Sequence, residues 1–123
     1  MAKILIVDDS ESLRLDLRDT LESAGHEVVE AINGEEGIKA MSKHSDTRII
    51  VIDFNMPIMN GITMAQRIRE IPEYNHVKLL MLTTESSKEA RQAGKDAGIL
   101  AWITKPLVGN KFTPVVDMIL ARK

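Results

Sequence analysis

The sequence predicts an α/β fold, a doubly wound open sheet of five parallel strands flanked by five helices. Three observations carry this reading. Short runs of strand character alternate with stretches of helical periodicity along the whole chain. Three of the runs are wholly apolar, as expected where helices cover both faces of a parallel sheet. No linker, internal repeat or low-complexity tract interrupts the alternation, so the 123 residues read as one domain.

The first strand is "KILIV" (3–7). A helix follows over 11–24, with Leu13, Leu17, Leu21 and Ala24 on one face, Arg14 and Arg18 off it, and Gly25 closing it. "EVVE" (27–30) is a short second strand. Asn33 with Glu36 three residues on forms a capping-box pattern for a helix reaching Lys43. "RIIVI" (48–52) is the third strand, and "GITMAQRIRE" (61–70) the third helix, ended by Pro72. "KLLML" (78–82) is the fourth strand. Ser86 and Glu89 form a second capping-box pattern, opening a helix that Gly98 closes. "AWIT" (101–104) is the fifth strand, and a last helix starts near Lys111 or at Pro114.

Composition narrows the function classes. Hydrophobic residues make up 44% and charged residues 28%, an ordinary soluble balance, and aromatics only 3%. The net charge of −2 gives no general attraction to nucleic acid or anionic membrane. The absence of cysteine excludes disulfides and thiolate metal sites and is compatible with the cytoplasm. The apolar start "ILIV" is too short for a signal-peptide core, and no segment approaches a membrane span.

Ligands of doubly wound sheets bind beyond the carboxyl ends of the strands, where strand order reverses. Asp8 and Asp9 follow the first strand, Asp53 the third, Thr83 and Thr84 the fourth, and Lys105 the fifth. Singly, each is an ordinary turn or capping residue. Three acids in one crevice are different, because two like charges ~4 Å apart repel by about 4 kcal/mol at a partly buried site. Such a cluster calls for a cation, a shared proton or separation, and an all-oxygen site with few ligands and room for water suits Mg²⁺. A carboxylate beside a divalent cation and a lysine points to phosphoryl chemistry. Asp53, at the mouth of the central strand between the acid pair and Lys105, is the candidate nucleophile. The residue types alone do not choose between the hydroxyls of Thr83 and Thr84.

With these residues assembled, the chain resembles the receiver domain of two-component response regulators, most closely the single-domain chemotaxis (CheY-like) type. The resemblance rests on "ILIVDDS" (4–10), "VIDFNMPIMNG" (51–61), "LMLTTE" (80–85) and "AWITKPL" (101–107). It implies a flavodoxin-like sheet of order 2-1-3-4-5. It implies that Asp53 is the phosphoacceptor, that Asp9 binds Mg²⁺ directly with Asp8 beside it, and that the backbone carbonyl of Asn55 completes the metal ligands. Lys105 then contacts the phosphoryl group, Thr83 is the switch hydroxyl, and Asn55 and Glu85 stand where the family tunes hydrolysis. Trp102 takes the aromatic position usually held by Tyr or Phe and lacks a phenolic hydroxyl; its bland reading is a packing residue. Asn60 stands where an acid is common and reads as a helix cap. Pro106 can follow Lys105 through a cis bond, and Gly61 suits a close backbone approach or positive φ near the site.

The same resemblance implies a histidine kinase as phosphodonor and often a partner phosphatase. The accompanying expectation is a cytoplasmic protein, a monomer with transient dimerisation left open, without a nucleic-acid or membrane partner. Without an effector domain, output is expected by protein contact, with the flagellar motor switch the chemotaxis-type partner. A phosphorelay intermediate and a stand-alone regulator of another partner are the alternatives. The helix over 87–97 offers only Ala90, Ala93, Gly94 and Ala97 to the core and is expected to be loosely held. Lys88, Arg91 and Lys95 recur on its outer face, either as a solvated stripe or, with Trp102, as a dock for an acidic amphipathic segment. A Mg²⁺-dependent phosphohydrolase of the haloacid-dehalogenase type is a distant rival, since Asn55 stands where it needs a second acid. A flavodoxin-like nucleotide binder is disfavoured because "DDSES" repels phosphate. His26, His44 and His76 read as surface or capping residues.

Overall fold

The computed structural model describes residues 1–107 and 111–122. Strands β1 (Lys3–Val7), β2 (Glu27–Ala31), β3 (Ile49–Ile52), β4 (Lys78–Thr83) and β5 (Ile99–Thr104) alternate with helices α1 (Glu11–Ser23), α2 (Gly34–Lys43), α3 (Gly61–Arg69), α4 (Lys88–Asp96) and α5 (Phe112–Ala121). All neighbouring strands pair in parallel, in the order β2-β1-β3-β4-β5. The chain thus moves outward to one side from β1 and then to the other from β3, which opens a crevice at the carboxyl ends of these two strands.

Strand alternation divides the core. Leu5, Val7, Ile50, Ile52, Leu79 and Met81 face α2 and α3, meeting Met41, Met64, Ala65 and Ile68. Ile4, Ile6, Ile49, Val51, Leu80 and Leu82 face α1 and α5, meeting Leu17, Leu21, Phe112, Val116 and Ile119. Each fully buried aliphatic side chain of this kind contributes about 1.5–3 kcal/mol. The sheet is therefore a rigid base on which the strand ends stand.

Local chemistry sets the helix limits. Ser10, Asn33 and Asn60 cap α1, α2 and α3, their side chains accepting from the N–H groups of Leu13, Glu36 and Thr63. Gly25 and Gly98 follow α1 and α4 with φ near +90°, as expected of C-terminal glycines. The cap of α4 corrects the expectation for Ser86: Ser87 holds the position, accepting from Ala90 N–H at 3.1 Å. The Glu85 carboxylate accepts from Ser87 N–H at 3.1 Å, which pins the neighbouring serine as the cap. A 3₁₀ turn at Pro72–Tyr74, not expected from the sequence, follows α3 and buries Tyr74. The fifth strand starts at Ile99, two residues early. Leu79 pairs with Ile99 and Leu80 with Ala101, so Leu100 is an extra, partly exposed residue that breaks the alternation. Helix α5 starts at Phe112, between the two expected starts, with Pro114 in the first turn, where a missing N–H breaks no intrahelical bond.

Candidate functional site

The sheet ladder itself delivers the acids to one place. Val7 of β1 is in register with Ile52 of β3, and the ladder runs one step further: Asp53 N–H donates to Val7 C=O at 3.1 Å, and Asp8 N–H to Ala31 C=O at 3.1 Å. On the other side, Lys105 N–H donates to Thr83 C=O at 2.8 Å, carrying β5 past its end beside β4. The loop after Asp53 returns closely. A Cβ at Gly61 would overlap the Asp53 carbonyl oxygen, so close backbone approach, not positive φ, is what requires glycine there.

Asp8, Asp9 and Asp53 each turn a carboxylate oxygen into one cluster, all within 4.8 Å of one another. Asp8 and Asp53 are buried and Asp9 is exposed. Lys105 Nζ donates to Asp8 Oδ2 at 2.9 Å and to Asp53 Oδ2 at 3.3 Å. Burial alone would depress the Lys105 pKa, but its hydrogen bond to Asp8 and the charges of Asp53 and Asp8 outweigh this and raise it above the ordinary lysine value. The other carboxylate oxygens of Asp8 and Asp53 are held by main chain: Asp8 Oδ1 accepts from Ser10 N–H at 2.8 Å, and Asp53 Oδ1 from Asn55 N–H at 3.3 Å. One ammonium does not neutralise three carboxylates. The all-oxygen set, open to solvent through Asp9, fits a hard divalent cation such as Mg²⁺. The Lys105–Pro106 peptide is cis.

Thr83 is fully buried at the end of β4, whereas Thr84 is exposed. Thr83 Oγ1 accepts from Glu85 N–H at 3.2 Å, and the Glu85 carbonyl accepts from Trp102 Nε1 at 3.0 Å. The indole therefore does make a polar contact despite the missing phenol. Its ring lies over Gly94, where a Cβ would come within 2.7 Å of Cζ3; the Phe54 ring is 6.2 Å away, and the Arg91 guanidinium 5.8 Å from the indole centroid. Arg91 also donates to Thr104 Oγ1 at 3.2 Å, so it is turned toward β5. Lys88, Arg91 and Lys95 are all exposed, while Ala90, Gly94 and Ala97 are buried beneath them and Ala93 is half-buried.

The structure adds residues that the sequence reading left aside. Arg14, on α1, donates through Nη1 to the Asp8 carbonyl at 2.7 Å and through Nε to Glu30 Oε1 at 2.9 Å. Glu30 Oε2 accepts from Arg18 Nε at 2.7 Å. The available signal was two arginines four apart on a helix that must pack near an acid in β2. The histidines stand apart from the cluster: His44 is the C-cap of α2, His26 accepts from Ala2 N–H, and His76 is exposed. No described helix is long and apolar enough to cross a membrane.

Residues 4–117 match the family model described as the response regulator receiver domain. The chain is 36% identical over 115 residues to the chemotaxis protein CheY homolog of Campylobacter jejuni, covering 93% of this chain and 85% of that protein. It is 30% identical over 121 residues to protein PilH of Pseudomonas aeruginosa, covering 98% and 99%. The structure of Vibrio cholerae chemotaxis protein CheY4 superposes with a TM-score of 0.90 at 37% identity, covering 97% of this chain and 98% of that one.

Proposed function

The chain belongs to the response regulator receiver domain family, and from that premise we propose that it accepts a phosphoryl group from a histidine kinase onto Asp53 and signals by changing shape. The carrying observation is the convergence of three carboxylates and one ammonium at the carboxyl edge of the sheet. We read residues 1–123 as one receiver domain acting as a signalling protein, not a metabolic enzyme.

In this reading Mg²⁺, held by Asp8, Asp9, Asp53 and the Asn55 carbonyl, would supply charge neutralisation to the phosphoryl oxygens. An Asp53 carboxylate oxygen attacks the phosphorus of a phosphohistidine. The P–O bond forms as the P–N bond breaks, and the electron pair of that bond goes to the ring nitrogen. That nitrogen takes a proton from water unless the other ring nitrogen already carries one, so that neutral imidazole departs. Lys105, already beside Asp53, contacts the incoming group, and water later attacks phosphorus to release phosphate and restore the carboxylate. Asn55 and Glu85 flank the site and tune that hydrolysis.

The signal leaves through Glu85. Its N–H is bound to Thr83 Oγ1, its carbonyl to Trp102, and its carboxylate to the Ser87 N–H at the cap of α4. Drawing the Thr83 hydroxyl toward a phosphoryl oxygen reorients that residue and shifts the population of α4 and Trp102. The exposed Lys88, Arg91 and Lys95 then present an altered face to an acidic amphipathic partner segment. Likeness to chemotaxis proteins supports the flagellar motor switch as that partner and the cytoplasm as its place; likeness to PilH keeps a different output open.

The test is incubation with Mg²⁺ and a small phosphodonor, followed by mass-spectrometric mapping. A hydroxylamine-labile adduct on Asp53, absent from Asp53→Asn, is expected; equal labelling of the variant overturns the assignment. Pull-down against motor-switch and relay proteins separates the outputs.

A further inference from the structure

Asp8 has no polar atom without a partner. Its N–H continues the ladder to Ala31, its carboxylate is shared between Ser10 N–H and Lys105, and its carbonyl accepts from Arg14 Nη1. That carbonyl belongs to the peptide unit joining Asp8 to Asp9. Its orientation sets the directions in which two adjacent carboxylates leave the chain. These groups and Asp53 repel one another, and Lys105 offsets only part of that repulsion.

Arg14 spans the gap with its rigid fork, one nitrogen on the Asp8 carbonyl and another on Glu30. Its side chain is only 12% exposed. Glu30 is fixed in turn by Arg18, which also reaches Glu22 at 3.2 Å. The β1–α1 loop is thereby pinned to β2 through one guanidinium. A lysine ammonium is a point charge and cannot reproduce two in-plane donors aimed at different acceptors.

We propose that Arg14, held in place by Glu30, is a positioning residue that orients the Asp8–Asp9 peptide for divalent-cation binding. This rests on the reading of the acid cluster as a Mg²⁺ site. Arg14 does not touch the cation; it acts through the main chain of the residues that do.

Calorimetric titration of Mg²⁺ into the folded wild type, Arg14→Lys, Arg14→Met, Glu30→Gln and Arg18→Met tests it, with circular dichroism confirming folding at the titration temperature. Loss of the fork is expected to weaken Mg²⁺ about tenfold in both Arg14 variants, with a smaller loss in Glu30→Gln and less than about a twofold change in Arg18→Met. A role as nearby positive charge makes the opposite prediction: Arg14→Met would tighten binding, and Arg14→Lys would match wild type. Either result overturns the proposal, as does a lowered melting temperature with unchanged Mg²⁺ affinity. No uptake by the wild type would overturn the Mg²⁺ reading itself, and this proposal with it; uptake that is equal in wild type and Arg14→Lys would overturn this proposal alone.

Discussion

Lys105 Nζ lies closer to Asp8 Oδ2, at 2.9 Å, than to Asp53 Oδ2, at 3.3 Å, although β3 and β4 lie between β5 and β1 in the sheet. The ammonium thus leans across the crevice onto a carboxylate of the cluster that could hold a divalent cation. A unit charge about 4 Å from another opposes it by roughly 4 kcal/mol at a partly buried site. Lys105→Met is therefore expected to bind Mg²⁺ at least about tenfold more tightly while capturing phosphoryl groups more slowly. Calorimetry and labelling rates check the two halves; equal or weaker Mg²⁺ binding contradicts the first.

Gly94 leaves room for the indole, since a Cβ there would meet Trp102 Cζ3 at 2.7 Å. In Gly94→Ala the gain in helix propensity, about 1 kcal/mol, opposes an overpacking cost of about 1–3 kcal/mol. The ring is expected to move outward. Trp102 is the single tryptophan, so its emission should shift to longer wavelength and become more quenchable by acrylamide. Unchanged emission would mean that the ring does not rest on this helix in solution.

Ile58 is a β-branched residue at φ +72°, in a tight turn closed by Met59 N–H donating to Pro57 C=O at 2.7 Å. Such a residue pays about 1–2 kcal/mol in the left-handed region, and its side chain is 76% exposed, so little packing is at stake. Ile58→Gly is expected to stabilise the fold by about 0.5–1 kcal/mol after glycine's larger unfolded-state entropy. Urea unfolding measures it; destabilisation would show that the isoleucine is held by contacts.

Burial alone would raise the Glu30 pKa, but the hydrogen bonds and charges of Arg18 and Arg14 outweigh it and hold its carboxyl below the usual range. A lowered folded value stabilises the protein above the unfolded pKa of about 4.3, and that stability is lost as pH falls through the folded value. Glu30→Gln should cost about 1–2 kcal/mol at pH 7, and the difference from wild type should shrink as pH falls below about 4. A gap independent of pH would show that shape, not charge, is what Glu30 contributes.

The strands and the acids at their ends were legible because both signals are local: an apolar run, then a carboxylate. The nearness of Lys105 to Asp8 followed from the rule for parallel sheets. Ser86 and Ser87 were not separable, since adjacent serines fit nearly the same cap spacing and the Glu85 side chain decides between them. Leu100 hid the start of β5, because one extra residue reverses the alternation. Arg14 and Glu30 meet only after α1 packs on β2, and the spacing of Arg14 and Arg18 signals an acid partner there but not the bond to the Asp8 carbonyl. Thr83 over Thr84 came from resemblance, and the burial of Thr83 is a physical difference between them that residue type does not contain.

Helix α4 meets the body of the protein through Ala90, Gly94 and Ala97, the smallest side chains available. Lengthening Ala90 or Ala97 by a single carbon that found a home beneath the helix would add about 0.8 kcal/mol, a factor of about four in any balance between docked and lifted forms. The resting tone of such a module is thus adjustable in fine increments by substitutions that leave the acids and Lys105 unchanged.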